Sequence, residues 1–272
     1  MFRSTVALLL LPVAAVAVLA CGRGAPRTPQ PVMAAVLADM VVVGTVVEIE
    51  SDPMCAKSHP DAVEQTPYTV AIVRVDNPLY GAKHLTHVRV GVPMGTLDGP
   101  NAQFQKDGKY LFFLQRHSVT SLMLPSYTHA PVDLYKPGSE EVLRRVAIAT
   151  AAFNDPMKAL KADNKEDRVL AASALTMRYR RQPNGGAQSV AVERPAEETK
   201  LLFAALAEAD WAAPGTPETG NPQSLLYGMG LENDGFQFPK SGNTVVENKA
   251  AFVKWIAGAG KDVRLKQFVA KN

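Results

Sequence analysis

The spacing of apolar positions changes twice along this chain. From Val6 to Leu19 the residues are apolar apart from Pro12, and a polar stretch with Gly22, Gly24, Pro26, Pro29 and Pro31 follows. A period of two then sets in. Val41, Val43, Thr45, Val47 and Ile49 alternate with Val42, Gly44, Val46, Glu48 and Glu50, which predicts a strand turning polar on one face toward its end. Tyr68 to Val75 is apolar on both faces and predicts a central strand. Thr86, Val88, Val90 and Val92 alternate with His87, Arg89 and Gly91, giving one buried and one wet face. Tyr110 to Leu114 follows the turn signal Lys106-Asp107-Gly108, and Ser118–Leu124 and Pro131–Tyr135 are shorter candidates. Short strands without helical crossovers between most of them predict an antiparallel barrel or sandwich.

Past Pro137-Gly138 the period becomes helical. Val142, Val146, Ala149 and Phe153 share a face, opened by Ser139, Glu140 and Glu141 and stopped at Asn154-Asp155-Pro156. Asn164 caps a second helix with the apolar stripe Leu170, Ala171, Ala174, Leu175 and Met177. Pro195, Glu197 and Glu198 open a third, with Leu202, Ala205, Leu206 and Ala209 on its face. A fourth is expected over Lys249–Ile256, Gly228-Met229-Gly230 reads as a helix end, and Lys261–Val269 suits helix or strand.

Composition narrows the class without naming a reaction. With 272 residues, 47% hydrophobic and 20% charged, the chain has enough apolar surface for a packed core and is no disulfide-rich miniprotein. Arg3, the short apolar run and the small residue at position 20 form a secretory signal over residues 1–20. Removing it takes away Arg3 and lowers the formal charge from +3 to +2, which gives no strong steering toward nucleic acid. Residues 240–272 carry seven basic and two acidic side chains, either a solvated face or a surface for anionic headgroups.

Val18-Leu19-Ala20-Cys21 resembles a bacterial lipobox. The resemblance implies acylation of Cys21 and an exported protein anchored to membrane lipid in the cell envelope, with residues 21–31 as a Pro/Gly tether. Cys55 then has no intrachain partner. Without acylation a Cys21–Cys55 bridge becomes possible, and the two readings exclude each other.

The runs Ala38–Val46, Tyr68–Val75, Val88–Val92 and Asp107–Leu114 together resemble the netrin-like module of tissue inhibitors of metalloproteinases and of bacterial exported proteins. That implies an oligomer-binding (OB-type) β-barrel over residues 32–137. Those inhibitors act through a disulfide-linked N-terminal cysteine, which is missing in this arrangement, so zinc-protease inhibition by that route is not expected. Met157–Leu160 with Glu166–Leu175 is similar to one HEAT-type helical pair. The expected fold is therefore α+β, an N-terminal antiparallel OB-like barrel followed by a small all-α C-terminal domain over 138–272.

Candidate chemistry is sparse. Cys55 and His59, in the loop Ser51–Pro67, suit either two metal ligands, a thiolate with its base, or an exposed hairpin loop. His84 and His87 fall on opposite faces of an extended chain, and His117 and His129 are expected to be interfacial or exposed. No His or Cys follows His129, so the helical part cannot hold a Cys-His or Ser-His-Asp set by itself. Phe112 or Phe113 is expected in the core, and Trp211, Phe236, Phe238 and Trp255 are expected to staple loops to helices or to form an interface. No catalytic residue, metal or cofactor is predicted. The expected function is a non-catalytic, lipid-anchored binding or scaffold protein whose partner is an unknown envelope protein. The alternatives are an exported thiol-dependent enzyme or redox protein using Cys55 and His59, or a protease inhibitor acting through the barrel loops.

Overall fold

The computed structural model describes residues 30–94, 104–126, 129–183, 188–212, 221–239 and 244–271. The signal-like segment, the lipobox-like run and Cys21 lie outside them. The first element is a helix, α1 (Pro31–Leu37), where the tether and the start of the barrel were expected. Pro31 occupies its first turn, where a missing N–H does no harm. Val32, Ala34, Ala35 and Val36 are all buried, so the segment has no polar face to betray it as amphipathic.

Strands follow: β1 (Met40–Ile49), β2 (Met54–Lys57), β3 (Gln65–Tyr80), β4 (His87–Pro93), β5 (Lys109–Arg116), β6 (Met123–Pro125) and β7 (Val132–Asp133). Five of them close a ring in the order β1-β3-β4-β6-β5 and back to β1; β2 adds to β3 and β7 to β5. The ring is not wholly antiparallel: β4 and β6 run parallel through Val90 and Met123. Geometry leaves no alternative, because strand direction cannot alternate all the way round a ring with an odd number of members. The closed barrel fits the oligomer-binding type.

Alternation around this ring sorts the apolar residues into three groups. Met40, Val42, Val46, Ala71, Val73, Val88, Val90, Phe112, Leu114 and Met123 fill the interior. Val41, Val43, Leu111 and Phe113 point outward on one side and pack on Ala34 and Ala35 of α1 and on Val146. Tyr68, Val70, Leu122 and Leu124 point outward on another side and pack on Ala56 of β2. In β1, consecutive valines thus serve different cores, and Gly44 follows them.

Helices α2 (Ser139–Asn154), α3 (Pro156–Ala159), α4 (Lys165–Arg180), α5 (Ala196–Glu208), α6 (Pro222–Met229) and α7 (Val245–Ala257) build the rest. Asn164 caps α4 as expected, its side chain accepting the Glu166 and Asp167 N–H groups at 2.8 and 3.1 Å. Helix α7 starts before the expected Lys249, because Thr244 and Glu247 form a reciprocal capping box. The region is not all-α: β8 (Ser189–Glu193) pairs antiparallel with β9 (Lys266–Ala270). The two partners are far apart in sequence, so neither announces the other. Trp211, Phe236, Phe252 and Trp255 lie in the helical core with Phe203, and the indole N–H of Trp211 donates to Leu206 O at 2.9 Å.

Two arginines of the α4 C-terminal region tie the helices to the barrel. Arg178 Nη1 donates to the carbonyls of Val36 and Ala38 at 2.6 and 2.8 Å, while its Nη2 donates to Tyr80 Oη of β3 at 2.9 Å. Arg181 donates to Ala38 O at 3.0 Å and to Asp39 Oδ1 at 3.1 Å, and Asp39 Oδ2 in turn accepts the Arg116 N–H of β5 at 3.0 Å. These bonds satisfy the last carbonyls of α1, which no further helical turn could reach. Among the described residues no helix is long and apolar enough to cross a membrane.

Candidate functional site

Barrels of the oligomer-binding type take their ligands on the outer face of the second and third barrel strands, between the loop that follows the first strand and the loop that joins the fourth to the fifth. The corresponding surface here is the outer face of β3 and β4, with residues 50–64 on one flank and the β5–β6 turn, 117–122, on the other. This face is filled by the chain itself. Tyr68, Val70 and Leu122 are buried in one cluster, with Ala56 of β2 laid over them. The two flanking loops also meet directly, since Ser118 Oγ donates to Ser58 O at 3.2 Å.

His117 holds the turn in place. Its Nδ1 accepts the backbone N–H of Val119 and of Thr120 at 3.1 and 3.2 Å. With Nδ1 an acceptor, the ring proton sits on Nε2 and points to Tyr68 Oη at 3.2 Å. The two rings meet edge to face at 5.3 Å. His117 was expected at an interface or in solvent, yet only 5% of it is exposed, because the turn closes over Tyr68. The only sequence signal was its place directly after a strongly apolar strand.

Burial holds the His117 imidazole below its ordinary 6.5, and does the same to His129, whose Nε2 accepts the Gln30 N–H at 2.5 Å. A histidine whose folded value is lowered takes up its proton more readily in the unfolded chain. Its contribution is complete above pH 6.5 and is lost as pH falls through 6.5 toward the folded value. Chemical denaturation between pH 7.5 and 5.5 therefore shows stability falling with acidity. His117→Gln flattens that slope and costs about 1–3 kcal/mol at pH 7.5 by leaving turn N–H groups without their acceptor. A slope unchanged by the substitution would contradict this account.

Cys55 sits on β2 opposite Pro67, exposed, and among the described residues it is bonded to no other cysteine. His59 lies in the following loop, where its Nδ1 accepts the Asp61 N–H at 3.2 Å. Among the described residues no hydrogen bond joins Cys55 to His59, and no group of three or more His, Cys, Asp or Glu side chains could hold a metal ion. His87 opens β4 in solvent and His84 precedes it in a turn. Both Phe112 and Phe113 are buried, but on opposite sides of the barrel wall.

Around the filled face, apolar side chains protrude. Val63 in the β2–β3 loop is 93% exposed, and Val119 in the β5–β6 turn and Met94 at the end of β4 are exposed too. Beneath them the Met94 N–H donates to Pro67 O at 2.8 Å. Glu50 and Arg89 make an ion pair on the same outer face, 2.8 Å apart, which at such exposure contributes about 0–1 kcal/mol. The arrangement is a hydrogen-bonded surface with apolar tips. No protein-family model matches the chain, and no curated protein matches it.

Proposed function

We propose that this protein is a lipid-anchored, non-catalytic binding or scaffold protein of a bacterial cell envelope, built as a netrin-like OB-type barrel followed by a helical region. Acylated Cys21 holds it to the membrane, and the hairpin side of the barrel engages an envelope protein. The observation that carries the reading is the asymmetry of the barrel surface. One side is committed to α1 and α2, while the side where such barrels take ligands is prefilled and presents Val63, Met94 and Val119 on a hydrogen-bonded base. A prefilled face offers no stacking platform for single-stranded nucleic acid. A rigid base with protruding apolar residues suits a protein partner, which binds with little rearrangement. From Cys21 to Gln30 the chain spans at most about 35 Å, so acylation keeps the barrel close to the bilayer.

The test is purification of the full-length protein from detergent-solubilised envelope, with its intact mass and its co-purifying species read by mass spectrometry. The expected result is a chain beginning at Cys21 with a lipid-sized mass increment and a stoichiometric protein partner. Val63→Asp with Val119→Asp releases the partner without lowering the melting temperature, and Cys55→Ser changes neither capture nor mass beyond the substitution. A chain without acyl mass that captures nothing overturns the proposal. Loss of two hydrogens would instead identify a Cys21–Cys55 bridge.

A further inference from the structure

Between α5 and α7 the helical region leaves a cleft of about 300 Å³. That is the lower end of the range that holds small ligands, ~300–1,000 Å³. Its existence follows from side-chain size. Ala204 on one helix and Ala257 on the other line it where larger residues would close the gap. Its end is shaped by the 3-10 turn Ala259–Asp262, in which Gly260 lies on the indole of Trp255. A Cβ there would stand 2.6 Å from Trp255 Cδ2, so only glycine lets the turn close this tightly.

The charged side chains of the cleft are both donors. Lys200 of α5 and Lys261 of the 3-10 turn both line it, both exposed, and among the described residues neither has an ion-pair partner. Thr199 is 1% exposed; its hydroxyl oxygen accepts the Leu265 N–H at 3.1 Å, and among the described residues its own proton has no acceptor. No carboxylate is among the described residues lining the cleft. The remaining walls are apolar, with Phe203 and Ile256 inside and Val253 left 43% exposed.

Two lysines without ion-pair partners beside apolar walls are complementary to a molecule with one acceptor-only anionic head and an apolar body. We infer that this cleft binds an amphipathic monocarboxylate, its head held by Lys200 and Lys261 and its tail between α5 and α7. At about 30 Å³ per non-hydrogen atom, the share of a water molecule in the liquid, the cleft holds about ten such atoms, the size of octanoate. The site is separate from the barrel surface and does not depend on the anchoring of the protein.

Titration of the full chain with octanoate, followed by calorimetry and by Trp255 emission, tests it. Saturable one-to-one binding is expected, with 1-octanol at least tenfold weaker because it lacks the charge. The Lys200→Met, Lys261→Met double variant weakens octanoate at least tenfold and leaves octanol unchanged. Ala257→Leu fills the cleft and abolishes binding without lowering the melting temperature of the free protein; should that variant fail to fold, Ala204→Leu does the same from the opposite wall. Absence of saturable octanoate binding overturns the inference. So does equal affinity for octanoate and octanol, or binding that survives both cleft-filling variants.

Discussion

Replacing Glu198 by alanine lowers the free energy of unfolding by about 3–5 kcal/mol, the cost of breaking a buried ion pair from one side. Glu198 opens α5 and is only 2% exposed. Its carboxylate accepts from Arg194 Nε and Nη2, both at 2.8 Å, and from Tyr179 Oη of α4 at 2.5 Å. Arg194 also lies over the Tyr179 ring, 4.9 Å from its centroid, and reaches Gln267 of β9 at 3.0 Å. One carboxylate therefore joins α4, α5 and the β8–β9 ribbon. Because the Arg194 side chain keeps 26% of its exposure, water reaches the orphaned guanidinium and the loss falls at the lower end of the range. Denaturant titration of Glu198→Ala against Tyr179→Phe separates the parts, since the latter removes one hydrogen bond and costs about 0.5–1.5 kcal/mol. Burial, reinforced by the neighbouring carboxylate, pushes the Tyr179 phenol above its ordinary 10.0. The folded state thus keeps a proton that the unfolded chain releases, so this stability is complete below pH 10 and declines above it. Near-equal stabilities of Glu198→Ala and the parent would refute the account.

Phe112→Ala is expected to cost a further order of the same size, about 3–5 kcal/mol, as a large buried aromatic removed from a packed interior. Phe112 is fully buried inside the barrel, with Phe104 and Tyr110 ring centroids 5.6 and 5.7 Å away. The informative readout is elsewhere. The two tryptophans, Trp211 and Trp255, both lie in the helical core, so tryptophan emission reports on the helices alone. The barrel and the helices share a cluster through Val41, Phe113, Ala35 and Val146, and the Arg178 and Arg181 guanidinium groups bond across the same junction. The tryptophan midpoint should therefore fall together with the barrel's circular dichroism in Phe112→Ala. A midpoint that stays fixed while the barrel melts would mean that the two cores unfold separately.

What the sequence disclosed follows from how each element is stabilised. The alternation of β4 and of the second half of β1, and the run of β3 that is apolar on both faces, follow from a place inside the sheet and are readable; α4 and α5 carry ordinary stripes and start signals. Helix α1 was hidden because it is buried nearly all round; β8 was hidden, and β9 left open between helix and strand, because every ladder bond of this ribbon depends on a partner more than seventy residues away. The candidate surface was legible only in part. Cys55 and His59 stood out for their chemistry, but the flank they belong to is organised by His117 and Tyr68, 49 residues apart, whose meeting depends on barrel closure. Nothing in the local sequence around either residue encodes that distance.

The valines of β1 raise a question of alignment. With Val41, Val42 and Val43 serving both faces, sliding the strand by one place would exchange like for like, so these residues discriminate poorly between the native pairing and its neighbours. Gly44 supplies the discrimination. A Cβ at its position would stand 2.5 Å from Val73 Cγ1 and 2.7 Å from Arg74 O, so no residue with a side chain fits there. A slipped strand would bring Val43 or Thr45 to that spot and collide with the β3 backbone. The absence of a single methyl group thus acts as the pin that makes one threading of the barrel wall admissible and its nearest competitors forbidden.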